Sequence, residues 1–157
     1  MRLLFKQRFF SWFDSYDIYY EDGSVAYQVQ GKMAWGHLLE IYDGAGNYLG
    51  KIREEILTFL PRFAMYVGER CIGEIKKEFT FFKPQFTLNC NDWQVEGDWL
   101  QWEYQVTDGG GNMIMQASKQ VFNWTDTYVI DVVRPEHALL SLMIVLAIDA
   151  AKCSQGN

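Results

Sequence analysis

The side chains that could do acid–base or metal chemistry are few and scattered. The two histidines are His37, in Trp35-Gly36-His37 at the head of an apolar run, and His137, in the first turn of an expected C-terminal helix. Neither has a nucleophile or a metal ligand at a recognisable spacing. The three cysteines, Cys71, Cys90 and Cys153, are far apart, and no pair has the spacing of a metal site or a redox motif. They read as reduced thiols. No Gly-x-Ser-x-Gly, His-Glu-x-x-His or phosphate-loop motif is present. The glycine clusters at 44–46 and 109–111 precede strand-like runs, so they cannot aim a helix N-terminus at a phosphate. The sequence therefore assigns no catalytic residue, no metal and no cofactor.

Two charged groups remain. The carboxylates Asp92, Glu96, Asp98 and Glu103 are interleaved with Trp93, Trp99 and Trp102. Paired carboxylates beside indoles can serve sugar chemistry when their environments separate their pKa values. The plainer reading is a twisted strand pair with its charges in water and its indoles in the core. The second group is basic: Arg62, Lys76, Lys77 and Lys83. Lys77 shares strand parity with Ile75 and Phe79, which would point it inward. A buried ammonium needs a partner, a bulge or an anionic ligand. Pairing with Glu54 or Glu78 near a strand end is the plain solution, and an anion held by these four residues the functional one.

The elements that must position these groups read as hairpins. Glu21-Asp22-Gly23-Ser24, Asp43-Gly44-Ala45-Gly46-Asn47 and Asp108-Gly109-Gly110-Gly111-Asn112 separate β-favouring runs, with Val67-Gly68-Glu69-Arg70 a weaker fourth. Asp starts such a turn by bonding its own backbone, and Gly supplies positive φ. Between the turns the chain alternates: Tyr16, Ile18, Tyr20; Tyr27, Val29; Phe79, Phe81; Tyr104, Val106. Three echoes suggest about four repeated β units: Phe10 to Ile18 with Phe122 to Ile130, the Asp43 turn with the Asp108 turn, and Gly50 to Ile56 with Gly73 to Phe79.

The C-terminal segment differs. Pro135 and Glu136 suit a helix's first turn. Ala138 to Ile148 then runs apolar on every side, broken only by Ser141 and closed by Asp149. A helix apolar all round must be surrounded by protein or lipid, and this one is shorter than the ~20 residues that span a bilayer. A flat sheet covers one side of a helix, whereas a closed sheet surrounds it. The expected fold is mainly β: a barrel around a buried C-terminal helix over about 135–151.

Size and charge bound the rest. The 157 residues suit one domain, expected over 1–152 with a flexible tail at 153–157. Aromatics reach 17%, which favours sheet. A net charge of −6 argues against nucleic acid, whose affinity rests on Lys and Arg neutralising phosphates. Without a signal-peptide-like N-terminus, the expected compartment is the cytoplasm.

Phe10-Ser11-Trp12 with Asp14 and Tyr16, Ile41 to Asn47, Lys77 to Pro84, Val95-Glu96-Gly97-Asp98, and Phe122 to Tyr128 with the apolar tail resemble bacterial members of the LURP-one-related family. The resemblance spans about Arg2 to Ala150. It implies a Tubby-like fold, a closed barrel of about twelve antiparallel strands around the C-terminal helix. The superfamily includes phosphoinositide-binding Tubby proteins and phospholipid scramblases, but no residue of the Tubby headgroup pocket matches a position here. The leading expectation is a non-enzymatic binding or scaffold domain. The alternative is recognition of anionic phospholipid headgroups through Arg62, Lys76, Lys77 and Lys83 at a membrane surface. An enzyme acting on a sugar or nucleotide comes third.

Overall fold

The computed structural model describes residues 1–5, 15–81, 85–122 and 125–153. Phe10, Trp12, Asp14, Lys83, Pro84 and Trp124 of the motifs above, and 154–157 of the expected tail, lie outside these. The strands are β1 (Arg2–Phe5), β2 (Ser15–Tyr20), β3 (Val25–Ala34), β4 (Gly36–Asp43), β5 (Tyr48–Glu54), β6 (Arg62–Val67), β7 (Arg70–Glu78), β8 (Gln85–Asn89), β9 (Gln94–Asp98), β10 (Glu103–Thr107), β11 (Met113–Phe122) and β12 (Thr125–Val132). A 3-10 turn, Pro135–His137, leads into the helix α1, Ala138–Cys153.

The sequence chemistry accounts for the hairpins. Asp43 Oδ1 accepts from the amides of Ala45 (2.9 Å) and Asn47 (2.8 Å), and Asp108 Oδ1 does the same for Gly110 and Asn112 (both 2.9 Å). Gly46 and Gly111 occupy the left-handed positions, at φ 88° and 80°. The same five-residue turn is thus built twice, and its hydrogen bonds hold both carboxyls below their ordinary pKa. The echoes relate β2 to β12, the β4–β5 turn to the β10–β11 turn, and β5 to β7, each an even number of strands apart.

All neighbouring strands are antiparallel, in the order β8-β7-β6-β5-β4-β3-β2-β1-β12-β11-β10-β9. The first and last strands therefore pair in mid-sheet, with Leu3 opposite Ile130 and an Arg2 Nε–Asp131 Oδ1 ion pair of 2.6 Å. The barrel is nearly closed rather than closed. Its edges, β8 and β9, meet across a seam that no ladder bridges, although they are consecutive in the chain. Their turn has the form of a tight type I′ hairpin, with both Asn91 and Asp92 in the left-handed region (φ 52° and 55°) and the Trp93 amide donating to the Cys90 carbonyl at 3.0 Å, yet no ladder follows it. Phe86 and Trp99 fill part of the seam edge-to-face at 4.8 Å. Beside them a cleft of about 450 Å³ is lined by Phe86, Leu88, Trp93 and Val95 among others. Exposed Thr87, Gln94, Glu96 and Asp98 keep these edges polar, which discourages pairing with another chain.

The helix sits where its composition demands. Every residue from Leu142 to Ile148 is at most 1% exposed. It packs on β5, β6 and β7 of one arm of the sheet and on β11 and β12 of the other. Inward residues of both arms, among them Ile41, Ile52, Phe63, Ile75, Met115 and Ile130, complete one core. Gly50 sets the closest approach on β5: a Cβ there would stand 2.1 Å from the Tyr66 carbonyl and 2.7 Å from Met143 Cε.

Two readings of strand parity part company in β7. Lys77 does point inward, at 7% exposure. The strand then ends at Glu78, and Phe79 and Phe81 stand exposed rather than on a buried face.

Leu142→Asp or Ile144→Asp is expected to abolish soluble folding, since either variant buries a carboxylate in a dry core. Leu142→Ala is expected to fold with about 2–5 kcal/mol less stability. Denaturant unfolding checks both, and a cooperatively folded Leu142→Asp protein would contradict the buried placement.

Candidate binding surface at one end of the barrel

The basic residues divide. Arg62 and Lys76 are cross-strand partners on the outer face of β6 and β7. Carboxylates attend both: Arg62 Nη1 lies 3.5 Å from Glu55 and 3.9 Å from Glu74, and Lys76 Nζ lies 3.0 Å from Glu78. Lys77 is on the other face, its ammonium 5.4 Å from the centre of the Trp99 ring, and burial lowers its pKa. The carboxylates considered for it serve elsewhere. Glu54 contacts His37, and Glu78 takes Lys76 and the Thr87 hydroxyl. Lys83 lies outside the described residues.

The other candidates take ordinary places. His137 meets Trp93 edge-to-face at 5.0 Å. Asp92, Glu96, Asp98 and Glu103 are exposed while Trp93, Trp99 and Trp102 are buried. Asp98 caps the 3-10 turn Trp99–Gln101 by accepting from the Gln101 amide at 3.3 Å. Of the free cysteines, Cys71 is exposed and Cys90 buried, where burial pushes the thiol's pKa up. Among the described residues no group of three His, Cys, Asp or Glu could hold a metal ion, and no helix is long and apolar enough to cross a membrane.

A feature that sequence reasoning missed lies at one end of the barrel. In an antiparallel meander, connections from odd to even strands share an end. Three adjacent ones, β3–β4, β5–β6 and β7–β8, present Met33, Trp35, Leu57, Phe59, Phe79 and Phe81. These are the described large apolar residues that are at least three-quarters exposed, from 75% at Phe79 to 100% at Leu57. Single exposed apolar residues are unremarkable; a gathering at one end marks an interaction surface. The hairpins support one another. Gly36 leaves room for the Ile56 side chain, which a Cβ would meet at 2.8 Å, and the Lys77 amide donates to the Pro61 carbonyl at 3.0 Å.

Leu57 is held at φ 66°, a left-handed conformation that glycine or asparagine adopts with less strain. Local strain therefore presents an apolar side chain to solvent. The charges are also polarised. Among the described residues outside strands, connections at this end carry one carboxylate, Glu55, whereas those at the other end carry Glu21, Asp22, Glu69, Asp92, Asp108 and Glu136. A signal was present in the sequence: Ile56-Leu57-Thr58-Phe59-Leu60 joins two strands and is apolar where a buried run would have to be a strand.

The helix ends beneath this rim. Lys152 Nζ donates to the carbonyls of Trp99 (3.0 Å) and Leu100 (3.1 Å) and lies over the Trp102 ring. One turn earlier, burial raises the carboxyl of Asp149 from 3.8 to about 6, with Lys152 opposing the shift. Tyr104 is buried, and burial together with Asp149 raises its phenol.

A twelve-stranded antiparallel barrel wrapped around an apolar C-terminal helix defines the class of protein. The LURP-one-related family model matches residues 1–149, and the chain belongs to that family. It is 31% identical over 150 residues to the uncharacterised protein YxjI of Bacillus subtilis (strain 168), across 95% of this chain and 92% of that protein.

The raised Asp149 carboxyl makes stability pH-dependent. Its folded pKa of about 6 exceeds the reference 3.8, so the folded state holds the proton more tightly, and stability falls as pH rises between those values. The full difference is at most about 3 kcal/mol. Asp149→Asn is therefore expected to be more stable than wild type at pH 7.5, with the gain gone by pH 3.5. Urea melts at the two pH values check this, and an equal difference at both would contradict it.

Proposed function

We propose that this chain is a non-enzymatic binding or scaffold domain that meets its partner with the apolar end of the barrel. One observation carries the reading: six large apolar side chains stand exposed on three adjacent hairpins, while the described apolar residues elsewhere are largely packed away. The scattered histidines and the solvated carboxylates at 92–103 supply no competing arrangement for chemistry.

Recognition of anionic headgroups through Arg62, Lys76, Lys77 and Lys83 is the second reading. Its support is that Arg62 and Lys76 face one another near the same end. Against it stand Glu55, Glu74 and Glu78, which already engage those two cations.

A photo-reactive amino acid placed at Phe59 or Trp35, and at Ala45 on the opposite end as control, tests the proposal in the native host. Adducts are expected at Phe59 and Trp35 and not at Ala45. Equal labelling at all three positions would overturn the choice of surface. Turnover of a sugar or nucleotide that Glu96→Gln with Asp98→Asn abolishes would overturn the non-enzymatic reading.

A further inference from the structure

Resting on that choice of surface, we infer that its partner is a phospholipid bilayer, entered by the tips of the three hairpins rather than gripped by a basic pocket. Three observations lead there. The apolar side chains stand on three separate tips, nearly fully exposed, and the cleft of about 370 Å³ that Leu57 and Phe59 line is formed within their own loop and takes in no residue of the other two tips. A folded partner would need a complementary surface to bury such tips, whereas a bilayer interface accepts protruding side chains without one. Their types match the depths of that interface: Trp35 suits the headgroup level, and Leu57, Phe59 and Phe81 the acyl boundary beneath it.

The charge arrangement fits the same orientation. With a net charge of −6, the protein is repelled by phosphates unless the three apolar hairpins lead, since exposed Asp98 and Glu103 flank the β9–β10 connection on the other arm of the same end. Among the described residues the single connecting carboxylate at that end, Glu55, lies beside Arg62. The strand-end acids behind the tips are likewise engaged, Glu54 by His37 and Glu78 by Lys76. Exposed Arg53 stands at the same end of β5, where its stem can reach headgroups, while Lys32 on β3 is held by Gln30 (3.1 Å) and Glu40 (3.6 Å). The six connecting carboxylates of the other end then face water.

The third observation is the backbone of Leu57. An asparagine or glycine would relieve the left-handed strain at φ 66°. Leucine there is fully exposed and therefore earns no packing in the free protein. Bilayer insertion gives that side chain an apolar environment.

Flotation with phosphatidylcholine vesicles, and with vesicles containing one quarter phosphatidylglycerol, tests the inference. Wild type is expected to float with both and to remain bound in 0.5 M salt, because apolar insertion is not screened. Leu57→Asn is expected to lose at least tenfold in bound fraction with an unchanged or raised melting temperature. That sign separates a lost contact from a lost fold. Leu57→Asn with Phe59→Ser should abolish binding.

Flotation confined to anionic vesicles and lost in salt would overturn insertion in favour of the basic residues. No flotation on either vesicle, with photo-adducts to a protein at Phe59, would overturn the bilayer and leave the choice of surface standing. A dimer in solution that Leu57→Asn dissociates would overturn it in favour of a second copy.

Discussion

The structure depends on one constraint: a sixteen-residue helix with no polar face has to be enclosed. Sheet on one side would leave half of Leu142 to Ile148 in water, so the strands must continue around it. Twelve strands in a meander do this, and pairing of β1 with β12 in mid-sheet lets the chain leave β12 and turn directly into the enclosed space. The core is consequently shared. Residues of α1 meet strands from both arms, so neither the sheet nor the helix has a dry interior without the other.

Enclosure also decides what is left outside. The inward faces of most strands are committed to the core they share with the helix, β9 being the exception with no buried residue, and the outward faces are mostly polar or half-buried. The two ends of the barrel are therefore where distinctive surface can accumulate, and they differ. One end is closed by compact, self-bonded turns rich in aspartate and glycine. The other holds longer apolar connections, the left-handed Leu57, and the C-terminal end of the helix tied to Trp99 and Leu100 by Lys152. The seam between β8 and β9 interrupts the wall, with Phe86 and Trp99 meeting across it near that second end.

Much of this was legible in the residues. The helix, its burial and the enclosing sheet follow from the apolar run at 138–148, and the hairpins follow from the Asp-Gly clusters. Parity placed Lys77 inward correctly. The same parity misplaced Phe79 and Phe81, because alternation holds only while a strand lasts and β7 stops at Glu78. The seam was not legible, since the turn at 90–93 has the positive-φ pair and closing hydrogen bond of a tight hairpin and yet no ladder joins β8 to β9. The apolar end was hidden for a related reason. Leu57, Phe59 and Phe81 are residues that ordinarily predict burial, and only the topology reveals that three such loops share one end.

Amide hydrogen exchange of the helix tests the central claim most directly. If α1 is enclosed by the complete barrel, the amides of Leu142 to Ala147 can exchange only when the whole sheet opens. Their opening free energy should then equal the global unfolding free energy measured in denaturant. A helix that exchanges through a smaller, local opening while the strand amides stay protected would show that the barrel holds without it, and would contradict the account.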